Sequence, residues 1–445
     1  MKRYHFIAIG GAAMHNLAIA LHKNGNIVTG SDDYIFDPAR SNLAAHSLLP
    51  AREGWFPEKL TTGIDTVILG MHARIDNPEL KKAREQGLKI FSFPEFIYEH
   101  SVSKTRIVVG GSHGKTTVAG MILHVMNACN MNPDYLLGAS VPGIDGNVKL
   151  SEKAQLMIIE GDEYLTSPID PRPKFHLYKP HVAVLTGISW DHINVFKTFD
   201  DYKKQFEIFT ELIEPAGKLI YCEQDEEVRS VIQQSRHDIV KMPYYLPKHE
   251  IRNGITFLNT SCGEIKLDVF GNHNLLNIEA ARLACETAGI DAPTFYKHIA
   301  SWKGAYNRLT KISEEGGLTV FRDFAHAPSK VEATIAAVRQ QFPAHKLIAC
   351  LELHTFSSLS EEFLPHYSGS MNHCDVPLLY FSPHAVELKK LAMPCEKDIV
   401  KGFANSHLQV FTDALLMQKV VQENIADKTV VLYMSSGDFE GISLA

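Results

Sequence analysis

The sequence predicts an α/β protein of three domains, and three observations support this prediction. Short apolar runs typical of buried strands alternate with segments of helical periodicity along most of the 445 residues. Two of these runs lead into glycine pairs, at Gly10 and at Gly110, and each turn opens into a helical pattern. A chain of this length also exceeds what one hydrophobic core usually holds. We expect domains at residues 1–103, 104–311 and 312–445.

The first domain begins with the strand, turn and helix of a nucleotide-binding unit. Residues 4–9 predict a buried strand, residues 10–14 a tight turn, and the apolar positions that follow lie on one helical face. A second strand is expected to end near Asp32, and a third to span 66–69. The turn lacks the dinucleotide fingerprint G-x-G-x-x-G, which argues against a nicotinamide or flavin cofactor. A diphosphate could still bind at the helix N-terminus.

A phosphate-binding loop opens the second domain. Its residues follow a β-branched strand and precede a helix; they are Gly111, Ser112, His113, Gly114, Lys115, Thr116 and Thr117. Backbone N–H groups, the helix N-terminus and Lys115 would attract phosphate, and Thr116 offers a hydroxyl to Mg²⁺. The predicted ligand is ATP. Val109 stands where the general pattern has glycine, so the loop is a shortened variant, and the alternative is a turn without a ligand.

Carboxylates lie at the carboxyl end of the next buried strand, which we expect over residues 156–164. Glu160, Asp162 and Glu163 end this strand, and such a position suits Mg²⁺, which takes carboxylate and phosphate oxygens together. The alternative is a solvated acidic turn. Another apolar strand, at 182–185, leads to Asp191 and His192, although an isolated pair of this kind is more often structural.

The rest of the sequence predicts short alternating strands over 216–270, a helix that begins near 271, and a third domain from about 312. Asn274 and Asn277 lie three residues apart on the helix, where they could satisfy both edges of a purine. The third domain predicts mostly parallel strands at 319–324, 346–351, 377–381 and 429–434, with helices from 328 and over 414–425. A polar glycine loop, 435–441, ends it.

Composition excludes several classes of function. The net charge of −7 provides no basic surface for a nucleic acid, so no nucleic-acid partner is expected. Seven dispersed cysteines without a C-x-x-C pair indicate free thiols in a reducing compartment. His15 and Asn16 interrupt the apolar run at the start, so we interpret it as folded structure and expect a cytoplasmic protein without a membrane partner. A monomer or a weak homodimer is expected.

The motifs together resemble the Mur ligase family over essentially the whole length. The matching segments occur in the family's order: 111–117, 160–163, Asp191-His192, 271–277, Arg308 and Asp323-Phe-Ala-His326-Ala-Pro328. The resemblance implies an ATP-dependent carbon–nitrogen ligase of peptidoglycan synthesis that forms an amide through an acyl phosphate. It also implies a Rossmann-like UDP-binding domain, a central ATPase domain, and a Rossmann-like C-terminal domain.

The resemblance implies a role for each motif residue. Lys115 would hold the ATP phosphates, Thr116 and Glu160 one Mg²⁺, and His192 a second. Arg308 would reach the γ-phosphate, Asn274 and Asn277 the adenine, and Asp323 the ribose. The substrate residues implied in the first domain are Gly10, Gly11, Ala12, Met14, Ser31 and Asp32. Relatives often carry a carbamylated lysine after the histidine motif, but neither Lys203 nor Lys204 is assigned that role.

The opening resembles two branches of the family, one adding L-alanine and one adding a preformed tripeptide to UDP-N-acetylmuramate. Residues 31–38, 163–175 and 434–441 resemble the tripeptide branch, which acts in peptidoglycan recycling. The expected partners are therefore UDP-N-acetylmuramate and L-alanyl-γ-D-glutamyl-meso-diaminopimelate, with L-alanine ligation as the alternative. A nucleotide-driven switch and a small-molecule kinase are the alternatives outside the ligases.

Four residues are predicted to contact the acceptor. Arg172 and Lys174 could pair with the extra carboxylates of a tripeptide. The alternative is that both are solvent-exposed charges on a loop and contribute little. His326 stands in a His-Ala-Pro sequence where relatives have His-His-Pro. His354 lies in a segment where many relatives carry an arginine.

Overall fold

The computed structural model describes residues 1–190 and 195–443, and its internal contacts divide the chain into two compact units. The first comprises Met1–Ile188, Asp200–Tyr244 and Ala280–Asp291. The second comprises Ser189–Phe199, Tyr245–Glu279 and Ala292–Ala445. Each unit contains helices packed on largely parallel sheets, which confirms the predicted α/β class.

The first unit begins with a four-stranded parallel sheet in the order β2-β1-β3-β4. Its strands are β1 Arg3–Ile7, β2 Ile27–Ser31, β3 Thr66–Leu69 and β4 Ile90–Ser92. The accompanying helices are α1 Ala12–Lys23, α2 Ala39–Ala45, α3 Pro78–Glu85 and α4 Phe93–Ser101.

The strand predicted over 4–9 ends earlier, at Ile7, and the reason is a turn in the backbone. Ala8 adopts a positive φ of 67°, which an extended strand does not permit. The N–H groups of Ala8 and Ile9 both donate to the carbonyl oxygen of Ser31 at the end of β2. The chain therefore turns at the carboxyl edge of the sheet before α1 begins.

A seven-stranded sheet follows in the same unit, in the order β13-β12-β11-β5-β8-β6-β7, with only the β6-β7 pair antiparallel. Its strands are β5 Thr105–Gly110, β6 Asp134–Leu136, β7 Val148–Lys149, β8 Leu156–Glu160, β11 Val182–Leu185, β12 Lys218–Cys222 and β13 Val240–Tyr244. A separate antiparallel hairpin consists of β9 Leu165–Ser167 and β10 Asp170–Pro173. The helices are α5 Lys115–Ala128, α6 Phe199–Glu211 and α7 Glu226–Gln234.

The position of β5 determines where the functional loops lie. Strand β5 is buried and pairs in parallel with β8 on one side and β11 on the other. Because the carboxyl ends of parallel neighbours share one edge, the loops after these three strands lie next to each other. The strand predicted at 182–185 agrees with the structure residue for residue, whereas the strand predicted over 156–164 ends earlier, at Glu160.

The second unit contains a three-stranded antiparallel sheet and a six-stranded sheet. The small sheet has β14 His249–Arg252, β15 Ile255–Thr260 and β16 Gly263–Leu267. Helix α8 Asn272–Thr287 belongs to this unit only as far as Glu279 and to the first unit from Ala280, and α9 Ala292–Ile299 lies in the second unit. The strands of the large sheet are β17 Thr310–Glu315, β18 Leu318–Asp323, β19 Lys346–Glu352, β20 Val376–Tyr380, β21 Gln409–Phe411 and β22 Thr429–Met434. Its helices are α10 Pro328–Gln341, α11 Pro383–Leu388, α12 Glu396–Phe403 and α13 Ala414–Asn424.

The large sheet has the order β17-β18-β22-β19-β20-β21, and every pair except β17-β18 is parallel, as predicted for this region. Both faces are buried: Leu347 and Leu351 of β19 belong to one apolar cluster, and Ile348 and Cys350 to the other. Because both faces of β19 are buried, its sequence is a nearly continuous apolar run. The last strand in sequence, β22, lies between β18 and β19.

All seven cysteines lie in the described ranges and are free thiols. Within residues 1–190 and 195–443, no helix has both the length and the apolar character needed to cross a bilayer.

Candidate functional site

The glycine-rich loop connects β5 directly to α5, as the sequence predicts. Gly114 precedes the first helical residue with φ of +74°, a left-handed conformation that suits glycine. No side chain caps the first turn of α5, and Thr116 and Thr117 in that turn are buried. The loop therefore presents a helix N-terminus that favours an anionic ligand.

Thr186, the residue after β11, holds the phosphate loop in place through hydrogen bonds. Its hydroxyl donates to the carbonyl oxygens of His113 and Gly110, the latter at 3.2 Å. The N–H of Ser112 donates to the carbonyl oxygen of Gly187 at 2.8 Å. Gly111 has φ of +128°, and a Cβ there would come within 2.2 Å of the Thr186 hydroxyl. Only glycine allows this close approach.

Lys115 pairs with a buried carboxylate. Its Nζ lies 2.7 Å from Glu163 Oε2 and donates to the Gly111 carbonyl oxygen at 2.7 Å. Burial alone would lower the pKa of Lys115, but Glu163 and Asp162 outweigh it and raise the pKa. Lys115 therefore carries a full positive charge at the loop, as phosphate binding requires.

Tyr202 on α6 completes this cluster. Its hydroxyl lies 2.8 Å from Ser112 Oγ and donates to Glu163 Oε1 at 3.1 Å. The next two residues have other partners: Lys203 pairs with Glu227 and Lys204 with Glu207, each at 2.6 Å. The tyrosine thus connects the phosphate loop to the carboxylate that holds Lys115.

Thr116 and Glu160 meet as the sequence predicts. The Thr116 hydroxyl donates to Glu160 Oε1 at 2.9 Å, and the N–H of Gly138 donates to Glu160 Oε2 at 2.7 Å. Hydroxyl and carboxylate oxygens fit Mg²⁺, which keeps several water and phosphate ligands. Among the described residues, no group of three or more His, Cys, Asp and Glu side chains is arranged to hold a metal ion.

Arg172 and Lys174 lie at the hairpin that follows these carboxylates, and both have acidic partners within the chain. Arg172 makes a bidentate pair with Asp170, whose closest atoms are 2.6 Å apart. Lys174 Nζ lies 2.6 Å from Asp162 Oδ2. The Arg172 side chain is 59% exposed, so an incoming carboxylate could reach it.

The first-domain turn brings Gly10 and Asp32 together. The N–H of Gly10 donates to Asp32 Oδ2 at 2.7 Å, and burial is the main cause that raises the pKa of Asp32 to about 6. Gly11 precedes α1 without a side-chain cap, so the N-terminus formed by Ala12 onwards is open to a diphosphate, while Met14 is buried behind it.

Ser31, the last residue of β2, is buried next to a lysine. Lys59 Nζ donates to Ser31 Oγ at 3.1 Å and to the Gly30 carbonyl oxygen at 3.0 Å. A cation therefore lies at the same strand end as Asp32, which the sequence prediction missed because Lys59 lies in a segment without a motif.

In the second unit, Arg308 stacks on an aromatic ring and Asp323 shapes the loop beside it. The Arg308 guanidinium carbon lies 4.6 Å from the centre of the Phe324 ring. Asp323 accepts the N–H of Leu309 at 2.5 Å and of Ala325 at 2.6 Å. The carboxylate thus has a structural role in addition to the ribose contact that the resemblance implies.

Asn274 and Asn277 are both buried in α8. The Asn274 amide donates to the Phe270 carbonyl oxygen at 2.9 Å, which leaves its oxygen for a further donor. The purine contact predicted for this pair stays a prediction. His192 and Asp191 lie outside the described residues, and the proposed second Mg²⁺ contact of His192 is likewise a prediction.

The two predicted acceptor histidines follow different strands of the large sheet. His326 follows β18, and its Nδ1 pairs with the Phe324 carbonyl oxygen at 2.8 Å. His354 follows β19, and its Nδ1 lies 3.6 Å from Glu352 Oε1. Glu352 is buried and also accepts hydrogen bonds from Ser435 Oγ and from the N–H of Phe439, the latter at 3.0 Å.

Sequence analysis missed Tyr202, Gly138, Thr186 and Glu352. Thr186 had a local signal, because it directly follows a predicted strand beside the phosphate loop. Tyr202 and Gly138 contact partners more than twenty residues away, so no spacing in the sequence points to them. Glu352 lies two residues before His354, but the buried contacts that hold it come from Ser435 and Phe439.

Comparison with known proteins gives one family along the chain. Three family profiles match in succession: the Mur ligase family catalytic domain at residues 3–105, the Mur ligase middle domain at 109–285, and the Mur ligase glutamate ligase domain at 307–437. A UDP-N-acetylmuramate–L-alanine ligase from Clostridium tetani is 31% identical over 383 residues, which cover 82% of this chain and 80% of that protein.

Two solved structures share the fold. A UDP-N-acetylmuramate–alanine ligase from Thermotoga maritima has a TM-score of 0.70 at 19% identity, and a murein peptide ligase from Psychrobacter arcticus 273-4 has 0.65 at 21%. Each comparison covers 99% of this chain and 97% of the other. Together with the matched domains, these findings confirm the predicted family: the chain belongs to the Mur ligase family, whose members are ATP-dependent ligases that form amide bonds.

Proposed function

We propose that this protein joins UDP-N-acetylmuramate to L-alanyl-γ-D-glutamyl-meso-diaminopimelate at the expense of ATP. A carboxylate acylates poorly, so the lactyl carboxylate first receives the γ-phosphoryl group, and the acceptor amine then displaces phosphate. The first step brings two anions together, which makes charge neutralisation the main task of the site.

The Lys115 cluster is the observation that carries this proposal. The helix N-terminus after Gly114 and the charged Lys115 support binding of the β- and γ-phosphates. Glu163 and Tyr202 hold the lysine in place, so little reorganisation is needed when charge develops. Arg308, supported on Phe324, would add a second cation to the γ-phosphate.

Thr116 and Glu160 would hold Mg²⁺, and His192 a second ion. Magnesium would neutralise phosphate charge during the transfer. Gly138 fixes the second oxygen of Glu160, so the carboxylate keeps one orientation toward Thr116.

Uridine diphosphate is proposed to bind the α1 N-terminus. Gly11 and Ala12 would provide backbone N–H groups, and Lys59 beside Ser31 provides a positive charge at the same edge of the sheet. Asp32 fixes the turn through the Gly10 N–H.

A tripeptide acceptor is favoured by the hairpin of β9 and β10. It follows Glu163 directly and carries Arg172, whose planar guanidinium suits a bidentate carboxylate. Since Asp170 already pairs with it, an acceptor carboxylate would have to share or replace that partner. L-Alanine is the second candidate, because the Clostridium tetani relative at 31% identity is an L-alanine ligase.

A product assay tests the proposal. The full-length protein is incubated with UDP-N-acetylmuramate, ATP and Mg²⁺, and with either tripeptide or L-alanine, and products are identified by mass. We expect the UDP-muramoyl tripeptide as the main product. A product formed only with L-alanine would assign the protein to the alanine-adding branch, and phosphorylation without an amide would indicate a kinase.

A further inference from the structure

A buried carboxylate and a half-exposed imidazole lie at the end of β19. Glu352 is only 2% exposed, whereas the His354 side chain is 41% exposed. Their closest atoms, Glu352 Oε1 and His354 Nδ1, are 3.6 Å apart. This separation is longer than a hydrogen bond, as is common for catalytic contacts before a substrate binds.

Two other contacts hold Glu352 in its ionised form. Oε2 accepts hydrogen bonds from Ser435 Oγ and the N–H of Phe439. Burial would raise the pKa of Glu352, but His354, Ser435 and Phe439 outweigh it and lower the pKa. Since Oε2 is occupied, Oε1 is the oxygen that faces the imidazole.

Gly437 packs directly on this pair. A Cβ at this position would lie 2.9 Å from Glu352 Oε2 and 2.9 Å from His354 Nδ1. The glycine backbone thereby confines the ring on the side of Nδ1. The Gly437 carbonyl oxygen accepts a hydrogen bond from Arg322 at 3.1 Å, which fixes the glycine loop.

The pair belongs to the same strand edge as the loop of Arg308. The N–H of Ser435 donates to the Asp323 carbonyl oxygen at 3.0 Å, and the Asp323 carboxylate accepts the N–H of Leu309. Strands β18, β22 and β19 are neighbours, so their carboxyl ends place these residues on one edge of a single sheet. Parallel α/β sheets bind ligands at this edge.

We propose that His354 is the general base that activates the acceptor amine, with Glu352 as its positioning residue. Glu352 orients Nδ1–H toward itself, which leaves the lone pair of Nε2 for the substrate. The negative charge of Glu352 then stabilises the imidazolium that forms. This role rests on the proposed acyl-phosphate ligation.

Two protons leave the acceptor nitrogen during this step. Nε2 takes one proton from the acceptor ammonium and leaves a neutral amine. The amine lone pair forms a C–N bond to the acyl carbon, and the C–O bond to phosphate breaks with its electrons on phosphate. The second nitrogen proton passes to the departing phosphate, so the products are the amide, phosphate and a protonated His354.

Hydroxylamine separates this role from substrate binding or folding. It is a weakly basic nucleophile that is unprotonated at neutral pH, so it captures the acyl phosphate as a hydroxamate without a base. The experiment measures hydroxamate formation from UDP-N-acetylmuramate and ATP, and amide formation with the acceptor that the unmodified protein uses. The variants are His354→Gln and Glu352→Gln, with His407→Gln as the matched control, since His407 is exposed in the same unit.

For His354→Gln we expect amide formation to fall about 100-fold or more, and hydroxamate formation to change less than about threefold. Glu352→Gln should show the same selective loss to a smaller extent, and His407→Gln neither change. Equal losses of both products in His354→Gln would overturn the proposal, as would unchanged amide formation. If the unmodified protein forms the amide and His354→Gln forms it at the same rate, only this inference fails. If the unmodified protein forms neither the amide nor the hydroxamate, the proposed function fails.

Discussion

Lys115 Nζ lies 2.7 Å from Glu163 Oε2, and this pair connects the phosphate loop to the carboxylates that follow β8. Glu163 is fully buried, and the lysine side chain is 14% exposed. The pair therefore has two consequences that can be separated. The lysine charge serves the nucleotide, and its presence also compensates a buried carboxylate.

Replacement of Lys115 with alanine should abolish ATP turnover and also reduce stability. The variant leaves Glu163 buried without its cation, which costs about 3–5 kcal/mol in free energy of unfolding. Adding Glu163→Gln removes the uncompensated charge, so the double variant should recover most of that stability and none of the turnover. Urea unfolding and an ADP-release assay measure the two effects. Recovery of turnover in the double variant would contradict the assigned role of Lys115.

Glu160→Gln should slow the reaction and raise the Mg²⁺ concentration needed for half-maximal rate. The amide keeps the hydrogen bond from Thr116 but loses the charge that attracts the metal. Loss of a group that balances transition-state charge costs about 2–4 kcal/mol in activation free energy. Initial rates over a Mg²⁺ series provide the measurement. Glu226→Gln, at an exposed site on α7, is the control and should leave both quantities unchanged. An unaltered Mg²⁺ dependence in Glu160→Gln would remove Glu160 from the metal site.

Much of this site could be predicted because its parts are local. The strand, loop and helix around Lys115 are consecutive in sequence, and Glu160 ends a strand that pairs with β5. The pairing of Glu352 with Ser435 could not be predicted in the same way. It depends on β22 lying between β18 and β19, an order that the sequence positions of these strands do not reveal. Tyr202 was missed because a tyrosine on an amphipathic helix usually serves only the core.

Asp32→Asn should increase stability above pH 6 and change it little below pH 4. Burial raises the folded-state pKa of Asp32 from 3.8 to about 6, so the folded state binds its proton more tightly than the unfolded state. Stability therefore falls as pH rises from about 4 to about 6, when the folded carboxyl must ionise. The asparagine avoids this loss, about 1–3 kcal/mol, and can still accept the Gly10 N–H. Urea midpoints of both proteins at pH 4, 5, 6 and 7 measure the difference. A stability gap that narrows as the pH rises would show that Asp32 is stabilising in its charged form.

The full-length protein should bind UDP and not NAD or NADP. The turn after β1 lacks the spacing of the dinucleotide fingerprint, whereas the uncapped N-terminus of α1 and Lys59 suit a diphosphate. Isothermal titration with each nucleotide provides the measurement, and Lys59→Ala should weaken UDP binding. Binding of NAD in preference to UDP would reverse the assignment of this turn.

The last prediction concerns Arg172 and the size of the acceptor. If Arg172 receives a tripeptide carboxylate, Arg172→Ala should raise the KM for tripeptide about 3- to 10-fold and leave the KM values for ATP and UDP-N-acetylmuramate unchanged. The effect is modest because the side chain is 59% exposed and already pairs with Asp170. Arg172→Lys should recover only part of the loss, since an ammonium group cannot make the bidentate contact.

Steady-state rates with tripeptide and with L-alanine measure this preference, and Arg229→Ala, at a partly exposed arginine on α7, is the control. We expect kcat/KM for tripeptide to exceed kcat/KM for L-alanine in the unmodified protein. The ratio of the two kcat/KM values should be smaller in Arg172→Ala. Free alanine lacks the distal carboxylates, so its own KM should not depend on Arg172. Two results would contradict this prediction: equal kcat/KM for the two acceptors, and no effect of Arg172→Ala. The protein would then belong to the alanine-adding branch, and the Arg172–Asp170 pair would be a solvent-exposed ion pair of the hairpin without a role in acceptor binding.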